Sequence, residues 1–185
     1  MKKLICAILI LLPVWGFSQS AFELSGYGRF SSDIRSEYGY DYGAVFEWQP
    51  KSGALGLNYS LRFGRNAEND FQFQCPIGAI TGLLAVAILA DSDCDLSGLG
   101  LLFLFVPEGI SLNLDFQDDI KIAPYINPLM IEFTKDRVAP IIEVGAKMKV
   151  PLGSVLFGSL DFCVQSPYDY SNIKSCVGLS LGCRF

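Results

Sequence analysis

The sequence predicts an all-β chain, an eight-stranded antiparallel up-and-down barrel that crosses a membrane and carries one long loop with helical character. Three observations point there. Apolar and polar residues alternate with a period of two from Ala21 to the C-terminus. The 185-residue chain is 51% hydrophobic with a mean hydropathy of +0.36, yet after the N-terminus no stretch of about 20 residues is continuously apolar. The N-terminus itself reads as an export signal.

That signal comprises the positive Met1-Lys2-Lys3, the apolar run Leu4 to Val14, and small residues in Gly16-Phe17-Ser18. Cleavage after Ser18 is expected, leaving residues 19–185 as a single barrel domain. Cys6 lies inside the apolar run, too early to carry a lipid.

The strands follow in order. Phe22, Leu24, Gly26, Gly28 and Phe30 alternate with Glu23, Ser25, Tyr27 and Arg29. Tyr42, Ala44, Phe46 and Trp48 share a face opposite Glu47 and Gln49, and Pro50-Lys51-Ser52-Gly53 makes a tight turn. Leu55, Leu57, Tyr59, Leu61 and Phe63 form the third apolar face. A fourth strand is expected from near Leu101 through Phe116, bent at Val106-Pro107-Glu108-Gly109 because proline cannot donate to a ladder. Ile120 to Phe133 is the fifth, with Pro124 and Pro128 unsettling its register. Val138 to Val150, Leu156 to Gln165 and Lys174 to Phe185 complete the set, with a turn at Pro151-Leu152-Gly153-Ser154. Short turns alternate with longer connections at Ser32 to Tyr40, Asn66 to Gly100 and Ser166 to Ser171, although Thr134 to Arg137 is short. Such asymmetry is expected of an outer-membrane barrel.

Alternation does not say which face meets water. A soluble barrel buries its apolar set, whereas a membrane barrel turns it outward. The signal segment, a polar face rich in Gly, Ser and Asn, and a last strand with Leu179, Leu181, Cys183 and Phe185 at alternate positions favour the membrane. That ending resembles the C-terminal insertion signal of outer-membrane barrels, whose terminal aromatic is read by the barrel-assembly machinery. With eight strands, residues 21 to 185 resemble the small OmpX-type and OmpA-type barrels, and Gln19 at the expected mature terminus looks like Bacteroidota secretion. The resemblance rests on pattern rather than on a residue motif. It implies a bacterial outer-membrane location, lipid as the surrounding partner, and loops free to meet an unidentified extracellular partner.

A barrel of eight strands is filled by its own side chains. The inward charges are Glu23, Glu47, Asp115, Glu143 and Asp161 against Arg29, Arg62, Lys121, Lys147, Lys149 and Arg184, a balance suited to an ion-pair network. A proton or ion path is the sharper alternative. Among the cysteines, Cys163 and Cys176 face each other across one hairpin and invite a disulfide, and Cys75 with Cys94 brackets an apolar insert. Cys183 sits on the lipid side.

The segment from 66 to 100 holds the apolar run Ile77 to Ala90, followed by Asp91, Asp93 and Asp95. Pro76 favours a helix capping the mouth or dipping into the outer leaflet, and the β-branched content permits an extra strand pair. The acidic trio is compatible with a loose divalent site but lacks the spaced ligands of an EF-hand.

Histidine is absent, which excludes Ser-His-Asp and Cys-His catalysis and His-ligated metals. Barrel deacylases and acyltransferases of similar size use a catalytic histidine, so the resemblance argues against an enzyme. No cofactor or metal is expected, and an acidic pI near 4.7 argues against nucleic acid. The expectation is a non-enzymatic outer-membrane barrel with a structural or surface-interaction role. A small-solute channel, a lipid-modifying enzyme and a secreted soluble barrel are the alternatives.

Overall fold

A computed structural model describes residues 20–33, 37–50, 54–66, 68–90, 103, 106–116 and 120–185. The signal segment, Cys94 and the trio Asp91, Asp93 and Asp95 lie outside the described residues. The strands are β1 (Ser20–Asp33), β2 (Tyr38–Pro50), β3 (Leu55–Arg65), β4 (Phe71–Pro76), β5 (Gly109–Leu112), β6 (Leu114–Asp115), β7 (Lys121–Phe133), β8 (Val138–Pro151), β9 (Leu156–Pro167) and β10 (Lys174–Arg184). Among the described residues, helix α1 (Ile77–Ala90) follows β4.

Each strand pairs antiparallel with its neighbours, and β1 closes on β10 from Glu23↔Arg184 to Asp33↔Lys174. The ten segments occupy eight positions around a closed barrel. The reason is that the fourth stave is made of two pieces set end to end. At one end β4 pairs with β3 through Arg62↔Gln74 to Arg65↔Phe71, and with β7 through Phe73↔Phe133 to Pro76↔Met130. At the other end β5 pairs with β3 through Leu55↔Leu112 to Asn58↔Gly109, and with β7 at Ile110↔Ile126 and Ser111↔Tyr125. β6 extends this half along β7.

This corrects the expected fourth strand and long loop. The outer connection after β3 is only residues 66–70, and Phe71–Pro76 is wall rather than loop. Strand pairing resumes at Gly109, not near Leu101, although the Glu108 N–H already donates to Asn58 O at 2.9 Å. The helix anticipated within the segment does form, but it departs from half-way down the wall. Pro76 is well placed at this break, since its missing N–H has no ladder to serve there. Pro128 is accommodated as well: β7 shifts register between Asn127 and Met130, a bulge around the residue that cannot donate.

The faces are those of a membrane barrel. Outward positions carry exposed apolar side chains on every long strand, including Phe30 at 74%, Leu61, Val144, Phe162 and Leu179 at 67%. Inward positions carry buried polar ones, among them Glu23, Arg29, Glu47, Arg62, Glu143 and Lys149. A soluble fold would invert this distribution.

Aromatic residues gather towards both rims, as two bilayer interfaces require. Phe63, Phe73 and Phe133 stand ring to ring at 5.0 and 5.9 Å near the loop end, with Tyr38, Tyr40 and Phe71 exposed beside them. Phe22, Phe46 and Tyr59 form a second run at 5.6 and 5.8 Å towards the opposite end, where Phe116 and Phe185 are also exposed. Phe185 exchanges backbone hydrogen bonds with Phe22 at 2.8 and 3.2 Å, so the last residue takes part in closing the barrel.

Candidate functional site

Strand alternation sends every second side chain inward, and the polar ones meet across the lumen in three layers. Nearest the turn end, Lys149 Nζ on β8 donates to Glu23 Oε2 on β1 and Glu47 Oε2 on β2, both at 2.7 Å, and to Asn113 Oδ1 at 2.9 Å. Arg184 on β10 donates its Nε to Glu23 Oε1 at 2.8 Å. Ser111 Oγ, Asn113 Nδ2 and Gln49 Nε2 all donate to Glu47 Oε1 at 2.7, 2.6 and 2.9 Å. Every oxygen of the two carboxylates is therefore met by a donor.

The middle layer centres on Glu143 of β8, which has no solvent exposure. Arg29 Nη1 donates to its Oε2 at 2.5 Å, Arg62 Nη2 to its Oε1 at 2.8 Å, and Arg62 Nη1 makes a further contact with Oε2. Asn127 Nδ2 and Gln165 Nε2 complete the shell at 3.2 and 3.3 Å. Arg29 Nε is held in turn by Asp41 at 3.0 and 3.1 Å. A buried carboxylate of this kind persists because two cations and two amides replace its water.

Beside this layer lies the break in the fourth stave. Ser60 of β3 faces the break, and the Glu108 carboxylate fills it: Oε2 accepts the Ser60 N–H at 3.1 Å and the Ser60 hydroxyl at 2.8 Å. Glu108 is fully buried, with Arg62 Nη2 at 3.8 Å from its Oε1. A side chain thus replaces the backbone acceptor that an unbroken strand would supply.

Towards the loop end, Gln74 and Gln165 exchange amide hydrogen bonds at 3.1 and 3.2 Å, and Gln74 Nε2 also donates to Glu132 at 2.7 Å. Lys174 Nζ donates to Glu132 at 3.2 Å. In the wall between layers, Tyr125 Oη donates to Asp161 at 2.9 Å while Lys147 Nζ stands 4.8 Å above the Tyr125 ring.

Of the residues singled out in the sequence, Glu23, Arg29, Glu47, Arg62, Glu143, Lys149 and Arg184 join these clusters, and Lys147 and Asp161 pack around Tyr125. Asp115 and Lys121 do not. They pair at 3.7 Å at the turn-side rim, with the Asp115 side chain 84% exposed. Asp41, Glu108, Glu132 and Lys174 were not foreseen. Asp41 shares parity with Glu47 and was legible, Glu132 is brought inward by the β7 bulge, and Glu108 depends on the split stave.

The cysteines suggested as disulfide partners are not joined in this structure. Cys163 and Cys176 are opposed in the β9–β10 register and buried, but both are free thiols, and the Cys163 sulfur accepts from Arg29 Nη1 at 3.3 Å. Cys75 is also free, and its suggested partner Cys94 lies outside the described residues.

Between the layers the remaining space is small, while at the turn end a cavity of about 210 Å³ opens beside Lys149, Phe157 and Arg184. A cavity of about 30 Å³ lies between the turn-end and middle layers, beside Tyr27, Arg29, Lys147 and Asp161, which is room for about one water. A vestibule of about 310 Å³ opens at the loop end beside Asp33, Glu37, Glu68, Asp70, Lys135 and Arg137. On the neighbouring loop, hydrogen bonds from Ser171, with Arg137 behind them, hold the exposed Asp169 carboxyl below its ordinary range. Among the described residues no group of three or more acids and cysteines is arranged to hold a metal ion.

Comparison with solved structures agrees with this architecture. The chain is similar to the N-terminal β-barrel domain of Pseudomonas aeruginosa OprF, with 9% identity and a TM-score of 0.52, covering 89% of this chain and 97% of that one. It is also similar to Neisserial surface protein A, with 8% identity and a TM-score of 0.50 over 90% and 96% of the two chains. The chain has the fold of a transmembrane β-barrel. At such low identities the likeness is one of fold. No protein-family model matches the chain, and no curated protein sequence matches it.

Proposed function

We propose that the chain is a non-enzymatic outer-membrane barrel whose filled lumen makes it a rigid stalk, with its loops available for surface interaction. The observation that carries this reading is the pairing of an exposed apolar exterior with a lumen whose charges are almost all neutralised by one another. Two aromatic rims support a bilayer setting. The export signal of residues 1–18 supports delivery beyond the inner membrane, and the terminal Phe185 supports recognition by the barrel-assembly machinery. The ion-paired layers that cross the lumen favour the stalk over a solute channel.

The purified membrane fraction tests this directly. The unboiled protein is expected to migrate differently from the boiled one on a denaturing gel, and the folded form in planar bilayers is expected to give no steady conductance. Equal migration would overturn the barrel in the membrane, and stepwise conductance would favour the channel. Deleting Phe185 is expected to lower the amount assembled in cells, because the deletion removes both the terminal aromatic and the hydrogen bonds that close onto Phe22. Unchanged assembly would argue against its role as a signal.

A further inference from the structure

Helix α1 has no counterpart in the work of an ordinary barrel wall, and four features bear on what surrounds it. It begins half-way along the wall, since Pro76 pairs with Met130 inside β7 and the chain rejoins the sheet opposite Asn58 inside β3. Its sequence, IGAITGLLAVAILA, holds no charged residue over 14 positions and has no polar face. A helix apolar all round is either buried in protein or surrounded by lipid. Here Leu83, Leu84 and Ile88 are exposed, Ile88 by 68%. The one hydroxyl, on Thr81, turns back to its own helix and donates to Ile77 O at 3.1 Å and Gly78 O at 3.3 Å. That is how a polar group is satisfied where no water is available.

The opposite side of the insert packs on the barrel exterior. α1 contacts β4 and β7. Cys75, which alternation places on the outer face with Phe71 and Phe73, is only 2% exposed. The returning chain passes close to the helix start, where a Cβ on Gly78 would lie 2.5 Å from Phe103 O. The helix therefore starts on the lipid-facing surface at mid-height.

We propose that α1 is embedded in the acyl-chain layer of the membrane, its Leu83, Leu84 and Ile88 face covered by lipid tails. The inference rests on the reading of the chain as a membrane barrel. Length is consistent with it: 14 residues extend about 21 Å, more than the roughly 15 Å from the centre of the hydrocarbon layer to its edge. The helix can thus start at mid-height and still reach the edge of the hydrocarbon layer.

The test places an emitter on that face. Leu84→Trp in the full barrel, reconstituted in phosphatidylcholine vesicles, is compared with the parent chain to subtract the native tryptophan emission. Chain-brominated phosphatidylcholine is expected to remove most of the added emission, and aqueous iodide to remove little. Quenching by iodide would place the helix in water and overturn the proposal. Quenching by neither would place the face against a second copy and overturn it too. The heat-dependent gel shift, read on the same samples, reports the barrel separately, so its loss in the parent would refute the membrane-barrel reading instead. Ile88→Trp reads the same face if Leu84→Trp does not fold.

Discussion

Glu143→Ala is expected to lower barrel stability by about 3–5 kcal/mol, the usual cost of removing one partner from a buried ion pair. The substitution leaves the Arg29 and Arg62 guanidinium groups facing each other in the middle of the lumen. Arg29 retains Asp41 at 3.0 Å, and Arg62 retains Glu108 at 3.8 Å, outside hydrogen-bond distance. Asn127 and Gln165 each lose an acceptor as well. Urea titration of the folded protein in micelles or vesicles measures the loss. With slopes of about 1–3 kcal/mol per molar, the midpoint moves down by roughly 1–3 M or more. Glu143→Gln keeps one carbonyl acceptor and is expected to fall between the parent and the alanine variant. A change below about 0.5 kcal/mol for alanine would mean that water already screens the arginines. The lumen would then be open, and the channel reading would gain at the expense of the stalk.

Gly109→Val is expected to prevent the barrel from closing at all. A Cβ at this position would lie 2.1 Å from Ile126 O, 2.3 Å from Asn127 Oδ1 and 2.5 Å from Asn127 Cα. Two of these are backbone atoms of β7, beside the bulge that accommodates Pro128, so no side-chain rotation relieves the clash. Overpacking a core usually costs about 1–3 kcal/mol, and here the obstruction falls where the fourth stave rejoins the sheet. The expected result is loss of the heat-dependent gel shift. Gly153→Val is the control, because nothing lies within 4 Å of a Cβ there. If both variants assemble alike, the close approach of Gly109 to β7 does not constrain the fold.

The elements were legible in the sequence to very different degrees. In β1, β2, β3 and β10, and in β8 and β9 apart from the inward apolar Ile141 and Phe157, alternation is clear enough for a period of two to assign both the strand and its faces. The lumen residues follow from the same parity, which is why Glu23, Glu47, Arg62, Glu143 and Lys149 could be placed inward without a structure. Reading failed where parity is interrupted. The run Phe71–Pro76 is short and abuts a stretch of apolar residues, so its alternation was swamped by the helix that follows. Glu108 sits beyond Pro107 in a segment with no periodicity, and its contact with Ser60 exists only because the stave is divided. Glu132 required the bulge at Pro128 to be known.

The divided stave also sets an order of events during folding. Five neighbouring pairs of long strands, β1–β2, β2–β3, β7–β8, β8–β9 and β9–β10, are hairpins whose partners are close in sequence. The fourth stave is different: Phe73 meets Phe133 and Ile110 meets Leu57, contacts that span much longer stretches of chain. Loop-closure entropy grows slowly, by about 0.6 kcal/mol for each doubling of length, so the insertion is tolerated at equilibrium. Its burden is kinetic, since distant contacts form late. The β1–β2–β3 and β7–β10 sheets can form first as two curved halves. Two seams join these halves: β1 on β10, whose partners are more distant still in sequence, and the fourth stave, which is complete only when both β4 and β5 have docked and Glu108 has reached Ser60.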